Sequence, residues 1–252
     1  MARIFAALKG DFSSLDNLRE MGASIGNDEV SFDVALLGME GCEDQRKKQE
    51  REIQAKAQEL KINLRVLKTD HLGVKEIVEK TPFYDMVFFD YASAFHFVDG
   101  EDNSEQLFKI LIGSRCPVVI IPSNYSEVNN LIFTYDGKDA SVFAIKMFAL
   151  LFGKNCKDME VTILSVVQED ESMFGFERHL MDFVQSHFKN VGLKHVYGEE
   201  VSTNIYDFSQ TLNDSLVIMG AYDREADTYK ERPSAARGII FQQDTPLFIA
   251  HH

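Results

Sequence analysis

Within ten residues, Ile132-Phe133-Thr134-Tyr135-Asp136-Gly137-Lys138-Asp139-Ala140-Ser141, the chain passes from an apolar strand-like run through an Asp-Gly pair into a helix start. In an open α/β sheet, ligands bind at the carboxyl ends of strands beside helix N-termini. Asp136 there offers acceptors for a ribose hydroxyl or an adenine amine, and Gly137 permits a tight turn. Ser141 lies where helix N–H groups favour an anion. Two other apolar runs end at Val166 and Gly220. Any ligand that binds is expected between the strand ends at Asp136 and Gly220, with backbone groups at Val166 offered to an adenine-like ring; the alternative is a scaffold whose crevices are filled and which works only through its surface. The competing reading is structural: Asp136-Gly137 is only a turn ahead of an Asp or Ser helix cap.

Other reactive side chains form no constellation in the sequence. Cys42, Cys116 and Cys156 lack metal-ligand spacing, and Cys116, at the mouth of an apolar strand, reads as a buried reduced thiol. His71, His96, His179, His187, His195, His251 and His252 are scattered, and His179 and His187 lack the intervening Glu of a metalloprotease helix. The acidic stretch 95–105 departs from calcium-loop spacing and reads as solvated. There is no Gly-x-Ser-x-Gly, no phosphate loop ending in Gly-Lys-Ser/Thr and no Cys-x-x-Cys. No catalytic residue and no metal site is assigned. A net charge of −14 argues against a nucleic-acid binder, which needs a basic face. No run approaches the ~18 apolar residues of a membrane helix, and few, odd-numbered cysteines suit a reducing compartment. Together these predict a cytoplasmic protein without nucleic-acid or membrane partners.

The elements that must position these residues come in two sets. Asp85 opens one apolar run and Pro117 the next, 32 residues on; Asp214 and Pro246 repeat the arrangement at the same 32-residue distance. Ile4-Phe5 recurs as Ile132-Phe133, 128 residues later. So long a period indicates a duplicated domain rather than a solenoid unit, here 1–126 and 127–252. Each half holds five short apolar runs: 4–8, 32–37, 64–67, 86–89 and 118–121, then 131–135, 161–167, 194–197, 216–219 and 247–250. Uninterrupted apolar runs alternating with helical segments predict parallel strands covered on both faces. The fold class is therefore α/β: two similar doubly wound, mostly parallel five-stranded sheets related by a pseudo-twofold. Glu43–Leu60 reads as a solvated helix with Ile53, Ala57 and Leu60 on one face and Glu43–Lys47 and Glu52–Lys56 as ion pairs. Phe176–Val191 carries a core stripe, and Ser141–Phe152 is apolar enough to lie against a sheet or between the halves. The last strands, 118–121 and 247–250, are β-rich edges that invite pairing, so the halves are expected to meet there.

In order and spacing, these runs resemble tandem universal stress proteins. The features are the Asp136-Gly137 turn, Leu164-Ser165-Val166 where the family reads Leu-His-Val, Asn213-Asp214-Ser215-Leu216-Val217-Ile218-Met219-Gly220, and Thr245-Pro246-Leu247, matched in the first half by Cys116-Pro117-Val118. The resemblance spans 127–252 and is weaker over 1–122. It implies an internal pseudo-dimer and a regulatory or small-ligand-binding role in stress physiology rather than substrate turnover. It leaves a homodimer and a regulatory protein partner open. ATP-binding members carry Gly-x-x-Gly-x9-Gly-Ser/Thr after the fourth strand. Aligned from Gly220, the second and third glycine positions hold Asp223 and Pro233, while Ser234 fits the last. A carboxylate facing polyphosphate costs roughly 4 kcal/mol at 4 Å and an effective dielectric near 20, and proline donates no N–H. Arg224, Lys230, Arg232 and Arg237 offset this only in part. The expected cofactor-binding set is thus Asp136, Gly137, Val166, Gly220 and Ser234, with ATP or another adenine nucleotide held weakly or not at all. The first half lacks both glycine features, and its crevice is expected to be filled by Tyr91 and Phe95. The rival reading is a slow ATPase or phosphoryl-transfer enzyme, with Asp136 and Asp223 holding Mg²⁺.

Overall fold

Runs such as Met86-Val87-Phe88-Phe89 and Leu247-Phe248-Ile249 leave no polar side chain for solvent, so a strand made from them must be covered on both faces. That is the arrangement in the computed structural model, which describes residues 2–8, 13–25, 30–37, 43–67, 73–95, 103–122, 128–167, 177–221 and 235–250. The chain divides into two compact units, Met1–Tyr125 and Ser126–His252.

The first unit runs β1 (Ala2–Leu8), α1 (Ser13–Ile25), β2 (Val30–Leu36), α2 (Glu43–Glu59), β3 (Leu64–Val66), α3 (Val74–Lys80), β4 (Met86–Asp90), α4 (Tyr91–Ala94), α5 (Asn103–Gly113) and β5 (Val118–Ile121). Its strands are parallel and ordered β3-β2-β1-β4-β5. The second unit runs β6 (Asn130–Thr134), α6 (Asp139–Phe152), β7 (Glu160–Val167), α7 (Glu177–His187), β8 (Asn190–Tyr197), α8 (Val201–Thr211), β9 (Ser215–Gly220), α9 (Ala235–Ile240) and β10 (Leu247–Ala250). Its order, β10-β9-β6-β7-β8, is the same path with the same parallel pairing. In each unit the first strand sits centrally, the next two lie on one side and the last two on the other. The direction reverses between the first and fourth strands, which makes β1/β4 and β6/β9 the switch points where crevices open.

The Asp–Pro repeat has a shared physical basis at its proline. The Pro117 carbonyl accepts from Val87 N at 2.9 Å, and the Pro246 carbonyl accepts from Val217 N at 3.0 Å. Each proline stands one residue before its strand, where its missing N–H is tolerated. The aspartates serve differently. The Asp85 carboxylate accepts from Arg3 N at 2.8 Å, whereas the Asp214 backbone turns left-handed (φ 53°) and its carbonyl accepts from Asn129 N at 2.9 Å.

Several sequence expectations need correction. The stripe over 176–191 is not one helix: α7 stops at His187, and Val191 belongs to β8, which begins at Asn190 rather than at Lys194. The early strand start is pinned by Lys189 N donating to the Lys157 carbonyl at 2.9 Å and Asn190 Nδ2 to the Asp158 carbonyl at 3.2 Å. Among the described side chains of α2 the ion pairs are Lys48–Glu52 and Lys56–Glu59 in place of Glu52–Lys56; the expected Glu43–Lys47 pair involves Glu43, whose side chain lies outside the described residues. Ile53 and Ala57 are buried as expected, while Leu60 lies beyond the helix and is half-buried. Cys116 is half-buried, and burial followed by the nearby Asp85 charge pushes its thiol up to about 12.

The core of the second unit is aromatic. Phe133 of β6 meets Phe148 of α6 and Phe188 edge-on at 5.7 and 5.4 Å, and Phe248 of β10 meets Phe148 at 5.3 Å and Phe152 at 6.1 Å. The apolar helix α6 thus packs on its own sheet. In the first unit, a polar knot fastens three strands. Asp33 of β2 accepts from Arg65 at 2.7 and 2.8 Å, from Arg3 at 2.9 Å and from the Tyr84 hydroxyl at 2.7 Å. Burial pushes the Asp33 carboxyl up, but bonds from Arg65, Tyr84 and Arg3 outweigh it, so it ionises below its ordinary value. Burial and the bond to Asp33 push the Tyr84 phenol up to about 12.

Two outcomes follow for unfolding experiments. Phe248→Asp puts an unpaired charge into the aromatic cluster and lowers the unfolding free energy by at least about 3 kcal/mol, read by urea denaturation. Because the Asp33 pKa is depressed in the folded state, its contribution is complete above the unfolded value and lost as pH falls through the folded one. The stability gap between the native chain and Asp33→Asn therefore narrows as pH drops from about 5 toward 3. A constant gap over that range contradicts the assignment.

Candidate functional site

Of the two switch points, the second unit's is built around a close backbone approach. β6 leads into a turn in which Gly137 takes φ 78°, a left-handed conformation that glycine adopts without strain. Asp136 is exposed and holds this turn: its Oδ1 accepts from Lys138 N at 3.1 Å, and its Oδ2 lies 3.6 Å from Lys138 Nζ. The helix cap is Lys138, which makes no side-chain capping bond. The Ser141 hydroxyl donates to the Lys138 carbonyl at 2.7 Å, so it caps no N–H. The first turn of α6 is therefore without a side-chain cap among the described residues, the condition that favours an anion.

Gly220, the last residue of β9, lies directly against this turn. A methyl group added to it would fall on the Ala140 carbonyl group and within 2.5 Å of Ser141 N. A side chain at this position would have to displace helix backbone, so glycine is fixed by packing. On the other side of β6, Tyr135 N donates to the Leu164 carbonyl at 2.9 Å, which carries the β6–β7 register forward and sets Asp136 beside Val166. Val166 is half-buried and pairs with Val196 of β8. The predicted residues Val166, Asp136, Gly137 and Gly220 thus stand on three adjacent strand ends. Ser234 lies outside the described residues, as do Asp223, Arg224, Lys230, Arg232 and Pro233.

The first unit reaches the same switch point with a different solution. Its fourth strand ends in Asp90, which is 1% exposed and caps α4, accepting from Ser93 N at 2.5 Å. The other carboxylate oxygen accepts a hydrogen bond from Ser14 Oγ, in the first turn of α1. A carboxylate of the chain itself therefore lodges at the α1 N-terminus, where the second unit keeps only Gly220. Behind it Tyr91 is buried and stacks on Phe95, ring centres 6.4 Å apart. Asp90 and Ser14 were not singled out from the sequence. The Asp-x-x-Ser spacing of 90–93, a helix-capping pattern, was the available signal.

A second group of side chains beneath the second crevice also escaped the sequence reading. Tyr135, one residue past β6, follows the register of Ser165 on β7 and His195 on β8, and Glu177, the first residue of α7, bonds to this row through His195. His195 Nε2 donates to Glu177 Oε1 at 2.9 Å. Burial, then the negative charges of Glu177 and Asp136, raise the Tyr135 phenol above its ordinary value. Ser165 Oγ and Glu177 Oε2 are buried with no hydrogen-bond partner among the described residues.

No protein-family model and no curated protein matches the sequence. Solved structures do. A universal stress protein from Archaeoglobus fulgidus DSM 4304 is similar over 99% of this chain and 98% of its own, with TM-score 0.68 and 18% identity. A functionally unknown protein from Pseudomonas aeruginosa PAO1 matches over 99% and 92%, with TM-score 0.59 and 10% identity. A candidate universal stress protein from P. aeruginosa UCBPP-PA14 matches over the same shares, with TM-score 0.56 and 12% identity. The chain has the fold of a tandem universal stress protein, two α/β units of like topology in one polypeptide.

Gly220→Ala tests the geometry. The added methyl must push α6 away from β9, which lowers the unfolding free energy by about 1–3 kcal/mol. The matched change at a roomy strand glycine, Gly192→Ala, meets only the Val161 carbonyl oxygen at 4.0 Å and has little effect by the same measurement.

Proposed function

We propose that the chain is a cytoplasmic regulatory protein of the universal stress type that binds one small nucleoside-like ligand, in its second unit. The observation that carries this reading is the contrast at the switch points. Gly220 lies against an α6 turn without a side-chain cap, whereas the corresponding turn of α1 already holds the Asp90 carboxylate. Asp136, Gly137 and Gly220 frame the crevice and Val166 supplies backbone groups beside the base; Ser234, outside the described residues, is included on the sequence pattern alone. No Ser, Cys or Lys nucleophile is assigned, so binding rather than turnover is the proposed activity. Residues Asp223 and Pro233, in place of two phosphate-loop glycines, disfavour a triphosphate on charge and on N–H supply.

Calorimetry of the native chain tests this. Adenosine or its monophosphate is expected to bind once per chain, with Kd on the order of 10–100 μM, and ATP no more tightly than the monophosphate. Asp223→Gly combined with Pro233→Gly is expected to raise ATP affinity about tenfold, ~1.4 kcal/mol. Binding of ATP at low-micromolar Kd by the native chain, or two equal sites per chain, contradicts the proposal.

A further inference from the structure

Two buried polar atoms below the rim of the proposed site lack partners among the described residues. Ser165 Oγ belongs to a residue that is fully buried, and Glu177 Oε2 to one that is 9% exposed. An unmade hydrogen bond on a buried group is destabilising, and more so on a charged one, so a folded chain keeps such atoms only for a reason. The second oxygen of Glu177 is taken by His195 Nε2 at 2.9 Å. That bond fixes the carboxylate and leaves one acceptor vacant.

Register places these two atoms. Tyr135 precedes Asp136, and Ser165 precedes Val166, so this polar row sits one residue below the rim of the crevice. Ser165 and His195 are direct partners in the β7–β8 ladder and face the same side of the sheet. Glu177 stands in the first turn of α7, at the end of the unit where the strands terminate. A planar base lying over the ends of β6 and β7 would turn an edge toward this pair.

We infer that Glu177 and Ser165 read the base edge of the ligand, Glu177 Oε2 accepting from an exocyclic amine and Ser165 Oγ donating to the adjacent ring nitrogen. This inference rests on the nucleoside-type ligand proposed above. The donor–acceptor order fits a 6-aminopurine. A 6-oxopurine presents a carbonyl oxygen to the carboxylate and is rejected, because two acceptors then face each other out of water.

Titration calorimetry with adenosine and inosine decides the matter on the native chain. Adenosine is expected to bind at least ~30-fold more tightly than inosine, with purine riboside, which has neither amine nor carbonyl, between them. Glu177→Gln, whose amide can donate or accept, is expected to narrow the gap to about threefold. Ser165→Ala is expected to weaken adenosine about fivefold with the thermal midpoint retained. A purely structural role for Glu177 would weaken both ligands alike and leave their ratio unchanged, which overturns the inference. Equal binding of adenosine and inosine by the native chain overturns it while leaving the nucleoside site intact. Failure of every nucleoside to bind overturns both.

Discussion

Everything proposed for the second unit depends on how closely the end of β9 approaches the first turn of α6. Gly220 leaves no room for a side chain between strand and helix. The contact brings three things into one place: a strand end at the switch point, a row of helix N–H groups without a side-chain cap, and the Asp136-Gly137 turn. The turn depends on the same geometry, since the left-handed backbone of Gly137 helps the chain pass from β6 to α6 in the four residues 135–138. The Asp136 carboxylate holds it by bonding Lys138 N. Asp136 therefore serves the turn first. Being exposed, it keeps lone pairs for a ligand as well.

The same topology is furnished differently in the first unit, where one residue differs in kind. Where β9 ends in a glycine, β4 ends in Asp90, whose carboxylate caps α4 and accepts from Ser14 at the start of α1. A helix N-terminus favours negative charge, and here the chain supplies its own. An anionic ligand there would compete with a buried, doubly bonded carboxylate that cannot leave without losing both bonds. Duplication thus gives two copies of a frame, and the difference on which the proposal rests is one residue, Asp90 against Gly220. The first unit spends its polar residues elsewhere, on the Asp33 knot that ties Arg3, Arg65 and Tyr84 across three strands.

The strands were legible in the sequence because burial on both faces leaves an uninterrupted apolar run; Val118–Ile121 and Leu247–Ala250 have the same bounds in both descriptions. The duplication was legible because Pro117 and Pro246 make the same carbonyl bond to the neighbouring strand. Helix ends were less visible. The stripe through Phe188 and Val191 is continuous in sequence, yet α7 stops at His187, because contacts of 189–190 with 157–158 draw that segment into β8. Side-chain groups assembled from distant positions left no periodic signal. Glu177 and His195 are 18 residues apart in different elements. Ser14 and Asp90 are 76 apart, and only the fold makes them neighbours. At the candidate site, Asp136, Gly137 and Gly220 stood out through their turn chemistry and positions at strand ends, whereas the partnering of Lys138 with Asp136 did not.

The central claim is that the chain keeps one open crevice, in its second unit. Crystals of the full chain soaked in adenosine test it most directly. The account predicts density for the nucleoside beside Asp136, Val166 and Gly220, with Asp90 still bonded to Ser14 in the first unit. Density at the β1/β4 switch point with Asp90 displaced, and none beside Asp136, would contradict it.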